Sequence, residues 1–415
     1  MIEDFISKRE DLKDGLEPYP LSLRGINWIK FLSQKKINDQ DINTVLYQDY
    51  LRLSANLEYH LLANHLLENG FSLLFGAYYF QDEKIYAKAK EIVTTQLKEQ
   101  ILQDGAHYEL SPMYHQIILH RVLDCLNLVQ NNNWKNGGLK SLLKATAEKM
   151  LAWLKNITYK NGQIPYLNDA ALGIAPSSAE LVEYAHSLGL NIPKLKLKDS
   201  GYRKFDFIDL EVVMDVGQIA PSYQPGHSHA DNLQFVFNYK DKPILVDTGI
   251  STYEKNARRQ VERSTSSHNT VTINDQNSSN VWDGFRVAER ATTTILKETE
   301  TLLEASHDGF RKLGLIHKRI FILAEKGLKI QDVIEGRGKD YQAFGYLHFH
   351  PDVALELLEG QLKIDNNLKL EIAGAETIEL AAYDFAEGYN TLKKAMRLVY
   401  RFKSACTLSF TTLKA

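Results

Sequence analysis

Cysteine is nearly absent. The 415 residues hold two, Cys125 and Cys406, far apart in the chain. So few cannot build a disulfide framework and leave at most one bridge. Charge of one sign is lacking as well: the formal net charge is -3. That gives no global nucleic-acid footprint, so no nucleic-acid partner is expected, and an anionic ligand would have to be met by a local basic cluster. No stretch reaches the roughly 18 apolar residues of a membrane span, so no membrane partner is expected. The N-terminal MIEDFISKREDLKDG has no apolar run, so no signal peptide is expected. On these absences the chain reads as cytoplasmic. A chain trimmed of a leader would look the same and would be periplasmic.

What is present is ordinary for a soluble globular protein: 44% hydrophobic and 24% charged residues. The length allows two domains. Apolar residues recur at helical spacing in 40–55, 57–80, 84–103, 112–131, 138–156 and 177–188. Asp104-Gly105, Asn131-Asn132-Asn133 and Asn161-Gly162 punctuate them. Helix pairs of about 40–45 residues suit stacked αα-hairpins. Near 193–205 a lysine-rich bridge changes the texture. Beyond it come short runs rich in Val, Ile, Thr and Phe, at 211–216, 232–239, 243–247, 268–274, 317–323, 328–334, 343–349 and 396–403, with Glu325-Lys326-Gly327 as a hairpin turn. Many short strands between turns predict an antiparallel β-sandwich. The expected division is a helical domain over 1–200 and a β domain over 201–415.

One stretch stands out: Pro225-Gly226-His227-Ser228-His229-Ala230-Asp231. Asp247 follows His229 by eighteen residues, and His268 follows Asp247 by twenty-one. Asp247 ends an apolar run and His268 opens another, so these residues fall at strand ends, where ligands can converge. Mixed imidazole and carboxylate donors suit zinc. With His229, Asp247 and His268 on a metal, His227 is left beside it to move protons. The plain alternative is a set of unrelated polar turn residues. H-x-H-x-D also opens the metal site of metallo-β-lactamase-type hydrolases, but those need a histidine directly after the aspartate, where Asn232 stands, and alternating strands and helices, which the second half lacks.

Two polar clusters lie in the helical half. On a helix through 58–69, His60 and Asn64 would share a face, as would Asn64 and Glu68, or His65 and Asn69. Taken alone, this reads first as a helix–helix polar network. In 104–115, Ser111 looks like an N-cap and Pro112 the first helical residue. Tyr114 then sits in the first turn, where the helix dipole would slightly favour a phenolate. Taken alone, it reads first as a buried tyrosine.

Together these segments resemble the heparinase II/III family of polysaccharide lyases. The resemblance rests on residues 17–24, 58–69, 104–115, 165–170 and 226–231, with Asp247 and Ser267-His268-Asn269. It implies an N-terminal α/α toroid followed by an antiparallel β-sandwich. In the family the toroid starts well upstream of the segment matching 17–24, so the toroid is expected to be incomplete here.

The resemblance implies cleavage of a uronate-containing anionic polysaccharide by β-elimination. The carbon-5 proton is too weakly acidic to leave until donors mute the neighbouring carboxylate charge. By resemblance Asn64, with His65 beside it, does this. Tyr114 and His227 match the catalytic tyrosine and histidine, with the base and acid roles left open between them. His229, Asp247 and His268 match zinc ligands, and the zinc is expected to be structural. Glu109 is expected to orient the site. Tyr253, Arg259 and Arg263 are candidate substrate contacts, the arginines because a guanidinium holds a carboxylate bidentately. Solvated surface arginines are the alternative. A non-catalytic glycan-binding or scaffold protein and a metal-dependent hydrolase are the competing functions. The polymer, cleavage mode and oligomeric state are not legible.

Overall fold

Tyr50 shows how the helical part is assembled. Its ring lies between two glycines of neighbouring helices: a Cβ on Gly25 would come within 2.6 Å of the Tyr50 hydroxyl, and one on Gly76 within 2.6 Å of its ring. The absent side chains let the helices Pro18–Lys35, Gln40–Ala55 and Ala63–Phe80 approach around one tyrosine. Ser72 closes the contact by donating to the Ser22 carbonyl at 3.0 Å. Asp39 and Asp82 cap the helices Gln40–Ala55 and Glu83–Gln100 by accepting from backbone N–H groups of the first turn.

The computed structural model describes residues 2–135, 138–207, 209–324 and 327–413. Their packing separates two units. One comprises Met1–Gly105, Ile117–Ala152 and Glu180–Lys194, and is helical. The other comprises Ala106–Gln116, Trp153–Ala179 and Leu195–Ala415, and carries the sheets. No helix among the described residues is long and apolar enough to cross a membrane. Cys125 and Cys406 are buried free thiols.

In the sheet unit, Tyr202–Phe207, Leu210–Asp215, Phe235–Tyr239 and Lys242–Leu245 form a four-stranded antiparallel sheet in sequence order. A larger antiparallel sheet is organised around the long strands Leu368–Gly388 and Thr391–Thr412. Bulges near Ala373–Thr377 divide their pairing. One part of the last strand pairs with Gly327–Gly336 and another with Ala343–His348. The two sheets share a core: Phe235 meets Phe321 at 5.8 Å and Phe237 meets Phe410 at 5.1 Å between ring centroids. Outward alternation along Leu315–Ala324 is what a one-sided sheet requires. Leu315–Ala324 and Gly327–Gly336 pair antiparallel, while Glu325 and Lys326 of the expected turn lie outside the described residues.

Two expected elements differ. The helix expected over 57–80 begins at Ala63. Leu62 and Ala63 have φ of 57° and 50°, left-handed values that break the helix. His60 therefore has no helical face to share with Asn64. The strand expected from His268 begins at Val271, and His268 instead ends the 3₁₀ turn Thr265–Ser267.

Buried charge also runs through the sandwich core. The Asp332 carboxylate accepts from Arg319 at 2.7 and 3.0 Å, from His317 Nε2 at 2.8 Å and from the Tyr400 hydroxyl at 2.9 Å. Arg319 also donates to the carbonyls of Leu233, at 2.8 Å, and Asn269, at 2.6 Å. It thus pins two loops that end near His229 and His268.

Candidate active site

Asp169 is the centre of the site. It is fully buried, in the segment between Tyr159 and Ala179 that belongs to the sheet unit. Its Oδ1 meets Arg259 Nη1 at 2.5 Å and His229 Nε2 at 2.9 Å. Its Oδ2 meets Arg259 Nη2 at 2.7 Å and His227 Nδ1 at 2.8 Å. Burial alone would raise its pKa, but the Arg259 charge, the two imidazole hydrogen bonds and His229 hold it well below the usual carboxylate range.

A deprotonated carboxylate has no proton to give. Both imidazoles must therefore donate to it, and both tautomers follow. His227 carries a proton on Nδ1, facing Asp169, which leaves Nε2 as the ring nitrogen turned away from that carboxylate. His229 carries its proton on Nε2 and presents a lone pair at Nδ1. Burial pushes the His229 pKa down to about 4, so its ring is neutral at pH 7.

The backbone keeps this arrangement in place. Asn168 has φ of 56°, in the left-handed region that Asn tolerates. Its side chain donates to the Leu110 carbonyl and accepts from the His229 N–H at 3.0 Å. Tyr202 donates to the same Leu110 carbonyl at 2.6 Å. Ser111 donates to the Asp169 carbonyl at 2.6 Å and accepts from the Tyr114 N–H at 3.3 Å, so it both caps the helix Pro112–Gln130 and ties it to Asp169.

That tie places Tyr114. Its ring lies 4.0 Å from the His227 ring, tilted by 31°, and its hydroxyl is 3.3 Å from that of Tyr253. Burial lifts the Tyr114 pKa well above its ordinary value, against a lowering hydrogen bond with Tyr253. The helix-dipole expectation of a favoured phenolate is corrected: desolvation wins, and Tyr114 is a neutral phenol at pH 7.

Arg259 and Arg263, expected as substrate contacts, are both fully buried. Arg259 is taken up by Asp169 and by the Gly284 carbonyl at 3.0 Å. Arg263 donates to the carbonyls of Ser228, at 2.9 Å, and Gly284, at 3.2 Å. This corrects the expectation of direct contact: both guanidinium groups position the site from inside. Glu109 is buried beside His107, with 3.7 Å between Oε2 and Nδ1, so it also supports the site from within. Tyr253 is half-buried, and its ring lies 6.1 Å from that of His227.

Around the expected metal ligands, His268 Nδ1 meets Asp247 Oδ2 at 2.7 Å. His229 Nδ1 and His268 Nε2 are both buried without a hydrogen-bond partner among the described residues, and the two rings are 5.3 Å apart. Asp215 and Asp231 are buried close by. Burial lifts the Asp231 pKa to about 6 and that of Asp215 well above its usual range. Open imidazole nitrogens in a cluster short of positive charge fit a divalent cation. Each histidine has its other nitrogen on a carboxylate, as metal-bound histidines commonly do. Among the described residues, however, no three His, Cys, Asp or Glu side chains stand as a ready ligand set, and Asp247 is engaged by His268.

In the helical unit, Asn64 is buried in the first turn of Ala63–Phe80. His65 Nδ1 lies 3.0 Å from Glu58 Oε1, and its ring is 4.6 Å from that of Tyr19. Asn69 and Glu58 bond reciprocally, with Asn69 donating to Glu58 Oε2 at 2.8 Å and accepting from the Glu58 N–H at 3.0 Å. The polar network expected for this segment is therefore present.

Asp169 was missed as a site residue. It lies in a short loop far from its partners in sequence, and the only available signal was the Asn-Asp pair within the 165–170 resemblance.

The described residues combine helical packing with an antiparallel β-sandwich, and a helix-borne tyrosine stacks near a carboxylate-backed histidine. The model of the heparinase II/III-like C-terminal domain matches residues 191–412, and that of the heparinase II/III N-terminus matches residues 21–186. The chain belongs to the heparinase II/III family. It is 24% identical over 246 residues to a heparin-sulfate lyase of Bacteroides stercoris, covering 53% of this chain and 37% of that protein. It is 23% identical over 258 residues to a heparin-sulfate lyase of Pedobacter heparinus, covering 55% of this chain and 38% of that protein. The matched stretch thus spans under two fifths of either relative. A crystal structure of heparinase III superposes with TM-score 0.80 at 15% identity, covering 99% of this chain and 73% of that one. A heparan sulfate lyase mutant from Pedobacter heparinus gives 0.72 at 16%, covering 100% and 72%. These structures share the fold.

Asp169→Asn keeps the shape but leaves the Arg259 charge buried and unpaired. Breaking such a pair costs about 3–5 kcal/mol. Urea unfolding should show a loss of that order, and a loss below about 1 kcal/mol would contradict the hub role.

Proposed function

We propose that this protein is a polysaccharide lyase that cleaves a uronate-containing anionic polysaccharide by β-elimination. The observation that carries the reading is the Tyr114–His227 pair, with His227 held by Asp169. With its proton fixed on Nδ1, His227 offers a basic Nε2 that can take the carbon-5 proton. Tyr114, a neutral phenol, is suited to protonate the glycosidic oxygen as the bond to carbon 4 breaks. Electrons from the broken carbon-5 C–H bond form the 4,5 double bond, and the leaving oxygen receives the phenolic proton. This gives an unsaturated uronate at the new end. Neutralisation of the carboxylate is proposed for Asn64 and His65 on the family resemblance alone.

A glycosaminoglycan of the heparan type is the favoured substrate, because the matched relatives are named heparin-sulfate lyases. Zinc is proposed at His229, Asp247 and His268, where it would supply a structural cross-link rather than Lewis acidity. The two buried, unpartnered imidazole nitrogens support it.

The test is ultraviolet absorbance of the 4,5-unsaturated uronate during incubation with heparan sulfate and other uronate polymers. A rise is expected on at least one, and Tyr114→Phe should slow it by about 100-fold or more while melting like the parent. No rise on any polymer from the folded, zinc-loaded protein would favour the non-catalytic glycan-binding reading, and near-normal turnover by Tyr114→Phe would remove that residue from the chemistry. His229→Ala should lose bound zinc, measured by elemental analysis, and melt at lower temperature. An unchanged zinc content would refute the ligand set.

A further inference from the structure

Asn280–Trp282 and Arg286–Ala288 form a two-stranded hairpin that joins neither larger sheet. Trp282 and Arg286 are paired across it. Residues directly opposite one another project to the same face, and their neighbours to the other. Val281 is the buried neighbour, so the Trp282–Arg286 face is the outer one. Trp282 is 50% exposed, and Arg286 is exposed. Neither makes a hydrogen bond or ion pair among the described residues. Arg286 acts electrostatically on Asp283, whose carboxylate is paired with Lys255 at 3.1 Å.

The tip of this hairpin reaches the catalytic histidine. Phe285 is 39% exposed, and its ring lies 6.0 Å from that of His227 and 5.4 Å from that of Tyr253. Gly284 lends its carbonyl to both buried arginines, Arg259 at 3.0 Å and Arg263 at 3.2 Å. Gln260 donates to the Asp283 carbonyl. A free indole and a free guanidinium on one rigid face, beginning one hairpin turn from His227, match the two parts of an acidic sugar. The indole suits the apolar face of a pyranose ring, and the guanidinium suits a carboxylate or sulfate held bidentately.

We propose that the hairpin Asn280–Ala288 is a sugar-binding platform for the acidic polysaccharide. Trp282 stacks on a ring beyond the one being cleaved, and Arg286 holds that ring's anionic group. The proposal rests on the lyase reading for its ligand class. The tip ties the platform to the chemistry through Gly284, Arg259 and Asp169, so a chain seated on Trp282 is registered against His227.

The test measures both turnover and binding of heparan sulfate oligosaccharides, by ultraviolet absorbance and by calorimetric titration, for the parent protein, Trp282→Ala and Arg286→Ala. Each variant should raise KM and weaken binding by about tenfold, with kcat within about twofold of the parent, because the lost contact lies away from the bond being broken. Arg286→Lys should recover less than half of the loss, since an ammonium cannot bind bidentately. Cleavage by the parent with both variants unchanged in KM and affinity overturns the platform and leaves the lyase reading standing. Binding by the parent, weakened in both variants, with no cleavage of any uronate polymer supports the platform and overturns the lyase reading. Neither binding nor cleavage with any uronate polymer overturns both. Variants that lose kcat at unchanged KM would also overturn the platform.

Discussion

One buried carboxylate sets the state of this candidate active site. Asp169 takes four hydrogen bonds from three side chains: two from Arg259, one from His227 and one from His229. Arg259 keeps it ionised where burial would otherwise protonate it. Ionised, it can only accept, and that dictates where the protons sit on two histidines two residues apart. One is left with Nε2 as its basic nitrogen and the other with Nδ1. A single charge thereby orients both rings that the proposed chemistry uses, His227 as the proposed base and His229 as a proposed zinc ligand.

The surroundings are arranged to protect that charge. Ser111 couples it to the start of the helix bearing Tyr114, and Asn168 couples it to the His229 backbone. Arg319, anchored on Asp332 in the sandwich core, holds the Leu233 and Asn269 carbonyls. The loops with the functional residues are therefore fastened to rigid strands, as a site needing fixed orientation requires. Gly284 joins the exposed hairpin to the same arginine that ionises Asp169.

Sequence pattern reached the elements whose periodicity is strong. Gln40–Ala55 and Pro112–Gln130 follow the apolar spacing almost to the residue. The pattern ran too far at 57–62, where left-handed Leu62 and Ala63 break a stretch that reads as helical. It missed Pro18–Lys35, although its buried Leu21, Ile26, Ile29 and Leu32 fall on one helical face, and it missed the strands between 293 and 307. In the site, the histidine cluster stood out by residue type and spacing, whereas Tyr114 read locally as a buried tyrosine and was singled out only by the family resemblance. Asp169 was not, because its meaning comes from partners 58, 60 and 90 residues away. The arginines were misjudged for the same reason. Sequence marks a guanidinium as available to a ligand, and only the fold shows that an internal carboxylate has already taken it.

The most direct test of the Asp169 account is the tautomeric state of the two histidines. Nitrogen-15 imidazole spectra at neutral pH, assigned by the signals lost in His227→Gln and His229→Gln, would report it. The account predicts a protonated Nδ1 on His227 and a neutral His229 with its proton on Nε2. A His227 ring protonated on Nε2, with Nδ1 bare against Asp169, would mean that the carboxyl carries a proton, and the proposed origin of the base would be wrong.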